Sequence, residues 1–273
     1  MSAATTAVLT VLGSEEGGGE FHSPGPQSFE LPPVFSIGSL DVTKPMLLMV
    51  LAAVIVFFFF RAASKERAVI PGKLQFAGEY VYGFVRNGIA RDSIGSHDFM
   101  KFVPLLFTLF TFILVNNYFG LIPFLQFPSF SRIGFVIPLA ALLWILYNAV
   151  GIGRHGFGGY LKHVCVPGGV SGPILLLIAP LEFLSTVLVR PFTLALRLFA
   201  NMFAGHLLLI LFSTGAAYLI LDSGNIWYAP VGILSFILGI LVSFLEVLVL
   251  FLQAYVFTLL SAMYIGGALA DEH

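Results

Sequence analysis

The chain has 273 residues, of which 58% are hydrophobic and only 10% charged, with 29 phenylalanines and a mean hydropathy of +0.98. A formal net charge of −1 excludes the basic surface that nucleic-acid binding needs, and the long apolar blocks point to a protein embedded in a lipid bilayer. The one cysteine, Cys165, closes no internal disulfide and has no second thiolate with which to build a metal site.

Residues 1–44 read as a flexible, acidic tail. Glu15, Glu16 and Glu20 lie there with no lysine or arginine among the first 30 residues, which is the wrong chemistry for an arginine-rich transit peptide. The apolar run AVLTVL is too short for a secretory signal and lacks basic flanks. Residues 45–273 read as a single all-α polytopic membrane domain with five embedded helices. The first span, about 46–63, contains MLLMVLAAVIVFFFF and ends at the basic RAASKER. Residues 72–92 follow helical spacing, with Leu74, Ala77, Val81, Phe84 and Val85 on one side and Gln75, Glu79 and Arg86 on others, as in a helix lying on the membrane surface. The second span covers about 102–122 and closes at LIP. The third covers about 133–152, before the glycine-rich GIGRHGFGGYLKHVCVPGG. The last two cover about 173–221 and 229–269. A 49-residue helix measures about 74 Å against a hydrocarbon core of about 30 Å, so these two are expected to be strongly tilted or to cross more than once.

Orientation follows from the basic residues. The connector 61–101 holds seven of them, Arg61, Lys65, Arg67, Lys73, Arg86, Arg91 and Lys101, whereas the loop 123–132 has only Arg132. The connector is therefore expected on the cytoplasmic side, which places the N-terminus outside and, after five crossings, the C-terminus inside. The fitting location is a bacterial plasma membrane.

The stretch RPFTLALRLFANMFAGH, residues 190–206, carries two arginines, an asparagine and a histidine inside an apolar block. An arginine at mid-bilayer costs about 2.5–3.5 kcal/mol on insertion scales, so a compensating partner is required. At about 100° per residue, Arg190 and Arg197 share a face and Asn201 is about 40° away, while His206 lies on the opposite face about 13 Å further on. In the last block Glu246 and Gln253 are seven residues apart and share a face, with Tyr264 further along. Folding the two blocks back on each other about Gly224 and Asn225 brings Arg197 level with Gln253 and His206 level with Glu246.

An imidazole and a carboxylate in a low dielectric can relay protons, because histidine titrates near neutrality and burial raises a carboxylate toward it. An arginine stays protonated and acts as a fixed charge. Simpler roles stand beside these. Arg190, before Pro191, reads as structural or as reaching for the interface. Glu182, beside Pro180, and the Asn116–Asn117 pair either line a water path or serve local structure. Gly205, Gly239, Gly266 and Gly267 allow helices to approach closely.

LRLFANMFAGH and EVLVLFLQAYVFTLL resemble the a subunit of F-type ATP synthases, the stator channel beside the rotating ring of c subunits. The likeness extends from about residue 40 through the order of spans and the cytoplasmic interfacial helix. It implies that Arg197 is the essential arginine, Asn201 the polar residue one turn later and Gln253 the glutamine facing from the last helix. His206 and Glu246 occupy positions where the family keeps one acid and one histidine, in either order. The resemblance further implies a long, tilted C-terminal hairpin curved around the c-subunit ring, attachment to peripheral-stalk b subunits, and protons crossing by two offset half-channels. The second span here reads VNNYFGLIP where some members carry an acid, so Asn116 is matched only weakly. No G-x-x-x-x-G-K phosphate loop is present; no cofactor, metal or small-molecule substrate other than the proton is expected, and the chain is not expected to be an enzyme by itself. The competing readings are a stand-alone proton-coupled cation antiporter, which calls for paired broken helices or an internal repeat, and a non-transporting scaffold, which needs no charge at mid-membrane.

Overall fold

The computed structural model describes residue 25 and residues 34–37, 40–65, 71–122, 125, 127–165, 174–222 and 226–270. Most of the N-terminal tail and the expected fold-back point Gly224–Asn225 lie outside these. A short antiparallel hairpin, β1 (Phe35–Ile37) with β2 (Leu40–Val42), pairs Phe35 with Val42 and Ile37 with Leu40. The elements described after it are all helices.

Helix α1 (Lys44–Ala63) starts with a proline in its first turn, where a missing N–H costs nothing, and ends with Arg61 in its last turn. It packs Leu48 and Ala52 into a small apolar cluster with Phe119 and Phe127. Helix α2 (Lys73–Val85) runs on through a π turn, Arg86–Arg91, to Ile94. Its buried stripe is Gly78, Val85, Ile89 and Ala90, whereas Leu74 and Ala77 are exposed. The reason is local: Gly78 lies against Ala63 of α1 so closely that a Cβ there would come within 2.9 Å of the alanine methyl.

Helix α3 (Phe99–Tyr118) and helix α4 (Ile133–Cys165) form the centre of the bundle. The helical course of α4 continues past residue 152 through the glycine-rich stretch, and is broken only at Gly156, with φ 71° and ψ 165°. Helix α5 (Leu175–Leu184) passes through a π turn, Ser185–Val189, into helix α6 (Arg190–Ala217) and a closing π turn, Tyr218–Asp222. Helix α7 (Ala229–Leu269) is unbroken over 41 residues. Among the described residues, five helical runs are long and apolar enough to cross a membrane: Lys44–Ala63, Phe99–Tyr118, Ile133–Lys162, Leu177–Leu221 and Ala229–Leu269.

Helices α6 and α7, with the closing π turn, pack antiparallel in nearly one register between residues 201–220 and 232–253. Gly232 faces Ile220 and Leu219, Gly239 faces Phe212, Gly205 faces Glu246, and Asn201 faces Gln253. The numbers of facing residues add to nearly the same total throughout, as the fold-back about residues 224–225 requires. Glycine carries this contact because apolar side chains gain little from leaving lipid, so backbone approach and dispersion must do the packing. At Gly232 a Cβ would come within 2.6 Å of the Ile220 side chain.

Candidate functional site

Three polar groups of sites lie along α6 and α7. Near the middle, Arg197 is exposed on the isolated chain. It belongs to an outward stripe of α6 made by Thr193, Arg197, Ala200, Asn201, Ala204, Leu208 and Leu211 at three- and four-residue spacing. Among the described residues no hydrogen bond or ion pair reaches its guanidinium; the neighbouring arginine, Arg190, takes Glu182 instead. The small side chains of Ala200 and Ala204 leave the surface beside Arg197 shallow. One turn after Arg197, Asn201 donates from Nδ2 to Gln253 Oε1 at 2.6 Å. Gln253, expected to face Arg197, is hydrogen-bonded to Asn201 instead. Gln253 is 3% exposed, and its Nε2 has no hydrogen-bond partner among the described residues.

Toward the α6–α7 turn lies Glu246, 7% exposed, with its carboxyl against the Cα of Gly205. A Cβ at residue 205 would come within 3.2 Å of Glu246 Oε1, so glycine there makes room for the acid. His206 is the next residue and is half-buried. The hairpin therefore brings the two titratable groups to one level. Glu246 Oε2 has no hydrogen-bond partner among the described residues. Across the seam, the end of α3 is anchored to the same part of α7. Asn117 donates to the Leu250 carbonyl at 3.1 Å, and Tyr118 to the Val247 carbonyl at 3.4 Å. Asn116 instead bonds back to the Phe112 carbonyl of its own helix at 2.9 Å. Both asparagines are wholly buried, and neither Oδ1 has a hydrogen-bond partner among the described residues.

The third group lies at the opposite end of the hairpin. Glu182 and Arg190 form an ion pair at 3.4 Å, each about one-third exposed, and the Arg190 guanidinium is 5.6 Å from the centroid of the Tyr264 ring. The pair borders a cavity of about 230 Å³ that Tyr147, Tyr160, Thr186 and Tyr264 also line. Tyr147 donates to the Thr186 carbonyl at 2.9 Å, which ties α4 to the π turn.

This pairing is invisible to a uniform helical wheel. Eight residues at about 100° each would leave Glu182 and Arg190 about 80° apart. The π turn between them, in which the Arg190 N–H bonds to the Ser185 carbonyl five residues back, absorbs one residue without advancing the wheel. The effective separation is then seven residues, about 20°, and the two side chains meet. Arg190, read from sequence as structural, is in this way a member of the Glu182 site, and Tyr147 and Tyr264 join it.

The family model for the ATP synthase A chain matches residues 46–266. The ATP synthase subunit a of a Nocardioides species, strain JS614, is 59% identical, with 98% of this chain and all of that protein covered. That of an Arthrobacter species, strain FB24, is 48% identical over 93% of this chain and 96% of the relative. The Streptomyces lividans subunit a is 42% identical over 93% and 89%. With five membrane-length helices, an arginine held on the outer flank of the fourth and a match that takes in all three polar groups, the chain belongs to the ATP synthase A chain family and is a multi-pass membrane protein of the bacterial kind.

Proposed function

We propose that the chain is the proton-translocating stator subunit of an F-type ATP synthase, passing protons to and from carboxylates on a rotating ring of c subunits. The observation that carries this reading is Arg197, the one charged side chain on an exposed stripe that is otherwise uncharged, with no partner among the described residues. Such a charge is costly to leave in lipid. A ring carboxylate brought past it supplies the missing counter-ion, and the alanines at 200 and 204 let the partner helix come close.

The connector that carries α2 faces the cytoplasm in this reading. Protons then enter from outside beside His206 and Glu246, with Asn116 on the neighbouring wall, and reach the ring near Asn201 and Gln253. Arg197 draws the proton off an arriving ring carboxylate by stabilising its anion, and as a fixed positive charge it blocks direct passage between the two sides. Protons leaving the ring reach the cytoplasm past Glu182. Each elementary charge moved down 100 mV yields about 2.3 kcal/mol, so one ATP requires several, which a ring accumulates. Peripheral-stalk b subunits hold the chain against the turning ring, and nucleotide chemistry takes place on other subunits.

Arg197→Ala is expected to abolish proton-driven ATP synthesis in inverted vesicles while the complex still assembles. Arg197→Lys is expected to fail nearly as completely, because an ammonium can lose its proton and lacks the planar fork. Near-normal synthesis in either variant, at verified assembly, removes the reading.

A further inference from the structure

We infer that the last part of α4, residues 157–165, is a hinged cover over the Glu182–Arg190 cavity, and that its opening controls proton passage there; the second half of this statement rests on the function proposed above. The hinge is Gly156. Its φ of 71° breaks an otherwise helical course, in a region of backbone space that side chains disfavour. No heavy atom lies within 4 Å of where a Cβ would stand, so the pivot has room to turn.

Beyond the hinge the chain doubles back on α4 itself. The Tyr160 ring covers Gly151, where any Cβ would collide with it, and the Tyr160 hydroxyl donates to Asn148 Oδ1 at 2.9 Å. Tyr160 and Val164 also touch Ala268 near the end of α7, in a three-residue apolar cluster separate from the main core. These same two residues are walls of the cavity that holds Glu182 and Arg190. The outer side of the segment is free of packing, with Phe157 72% and Leu161 44% exposed.

Among the described residues the segment is held by the Tyr160–Asn148 hydrogen bond, by the Tyr160 ring over Gly151 and by one small apolar cluster. A unit fastened by so few contacts opens more readily than the core it covers. Lifting it removes Tyr160 and Val164 together, and so widens the cavity on the side of the ion pair. Tyr160 and Val164 belong to a cluster separate from the main core, so the movement uncovers Ala268 at the end of α7 and leaves the main core as it is. Tyr160 is a positioning residue in this arrangement: its hydroxyl acts by holding the segment, with no direct part in proton transfer.

The test uses assembled complex in inverted membrane vesicles, with Cys165 replaced by serine. A single cysteine is placed at Thr186, a cavity wall that is 4% exposed, and its rate of reaction with a membrane-impermeant thiosulfonate is measured. Adding Tyr160→Phe, which removes only the hydroxyl, should raise that rate on the order of tenfold, as expected for loss of one hydrogen bond from the closed form. An unchanged rate overturns the cover. A second variant is independent of any folding defect in the first: cysteines at Val164 and Ala268 are oxidised to a disulfide and then reduced. Cross-linking should lower ATP-driven acidification several-fold, and reduction should restore it. Quantitative cross-linking with unchanged acidification overturns control of passage by the segment. The labelling readout needs no proton transport, so a failure of the proposed function, seen as activity surviving Arg197→Ala, is distinguishable from a failure of the cover.

Discussion

Glu246 is buried, its Oε2 has no hydrogen-bond partner among the described residues, and Gly205 is the reason it fits. The acid is therefore tied to its position by shape more than by a fixed hydrogen bond, and His206 follows Gly205 at nearly the same level. If the two act as one relay, the pair needs an imidazole and a carboxylate but not a set order. His206→Glu alone places two carboxylates together and Glu246→His alone two imidazoles, and either change spoils the match of proton affinities. Each should lower ATP-driven acidification by roughly 10²-fold. The double exchange should recover a measurable part, with a coupling of about 0.5–3 kcal/mol in a double-mutant cycle. A double variant no better than the product of the singles shows that the residues act separately. Residue types and their seven-residue spacing were legible in the sequence. The bond from Asn201 to Gln253 was not, because a wheel gives the angle around one helix and says nothing of which side chain reaches across a seam.

Helices α6 and α7 show what a membrane asks of an element. The one-register hairpin was legible from two polar pairs and a turn, since antiparallel helices with the same rise keep facing residues in step. Neither the π turns nor the break at Gly156 was legible, because periodicity assumes a constant wheel and a glycine-rich run reads equally as a connector. Close packing at glycine also reaches the interfacial helix. A Cβ on Gly266 would collide with the Ser93 carbonyl at the end of the α2 run, whereas Gly267 has nothing within 4 Å of its Cβ position. Gly266→Ala should therefore cost about 1–3 kcal/mol through overpacking. Gly267→Ala should be neutral or stabilising by up to about 1 kcal/mol, the helix-propensity gain over glycine. Thermal aggregation of the two purified variants in detergent separates them; equal midpoints count against the close contact between α7 and Ser93.

Across the whole molecule, the seven basic residues of the connector 61–101 and the five membrane-length helices together give one expected topology. Ser64, after α1, and Phe157, beyond the Gly156 break, fall on the connector side, and Trp227, 82% exposed before α7, falls on the other. With Cys165 replaced, a cysteine at Trp227 should react with an impermeant thiol reagent added to intact cells, while cysteines at Ser64 and Phe157 should react only in inverted vesicles. The reverse pattern inverts the direction of both proposed half-channels.

The π turn at Ser185–Val189 also sets which lengths of chain the fold tolerates. It holds one residue more than the helix needs, so it is a place where the gene can lose a codon without rotating anything beyond it. Deleting Val187 should turn the bulge into ordinary α-helix, with Glu182 and Arg190 seven residues apart and still on one face. Deleting Leu194 instead, between Arg190 and Arg197, has no slack to consume and should turn all that precedes it by about 100° relative to Arg197. Vesicles from the first deletion should retain much of their ATP-driven acidification and those from the second should lose it. Length variation among working versions of this protein is accordingly expected to collect in the five residues of the turn, and to avoid the six between the two arginines.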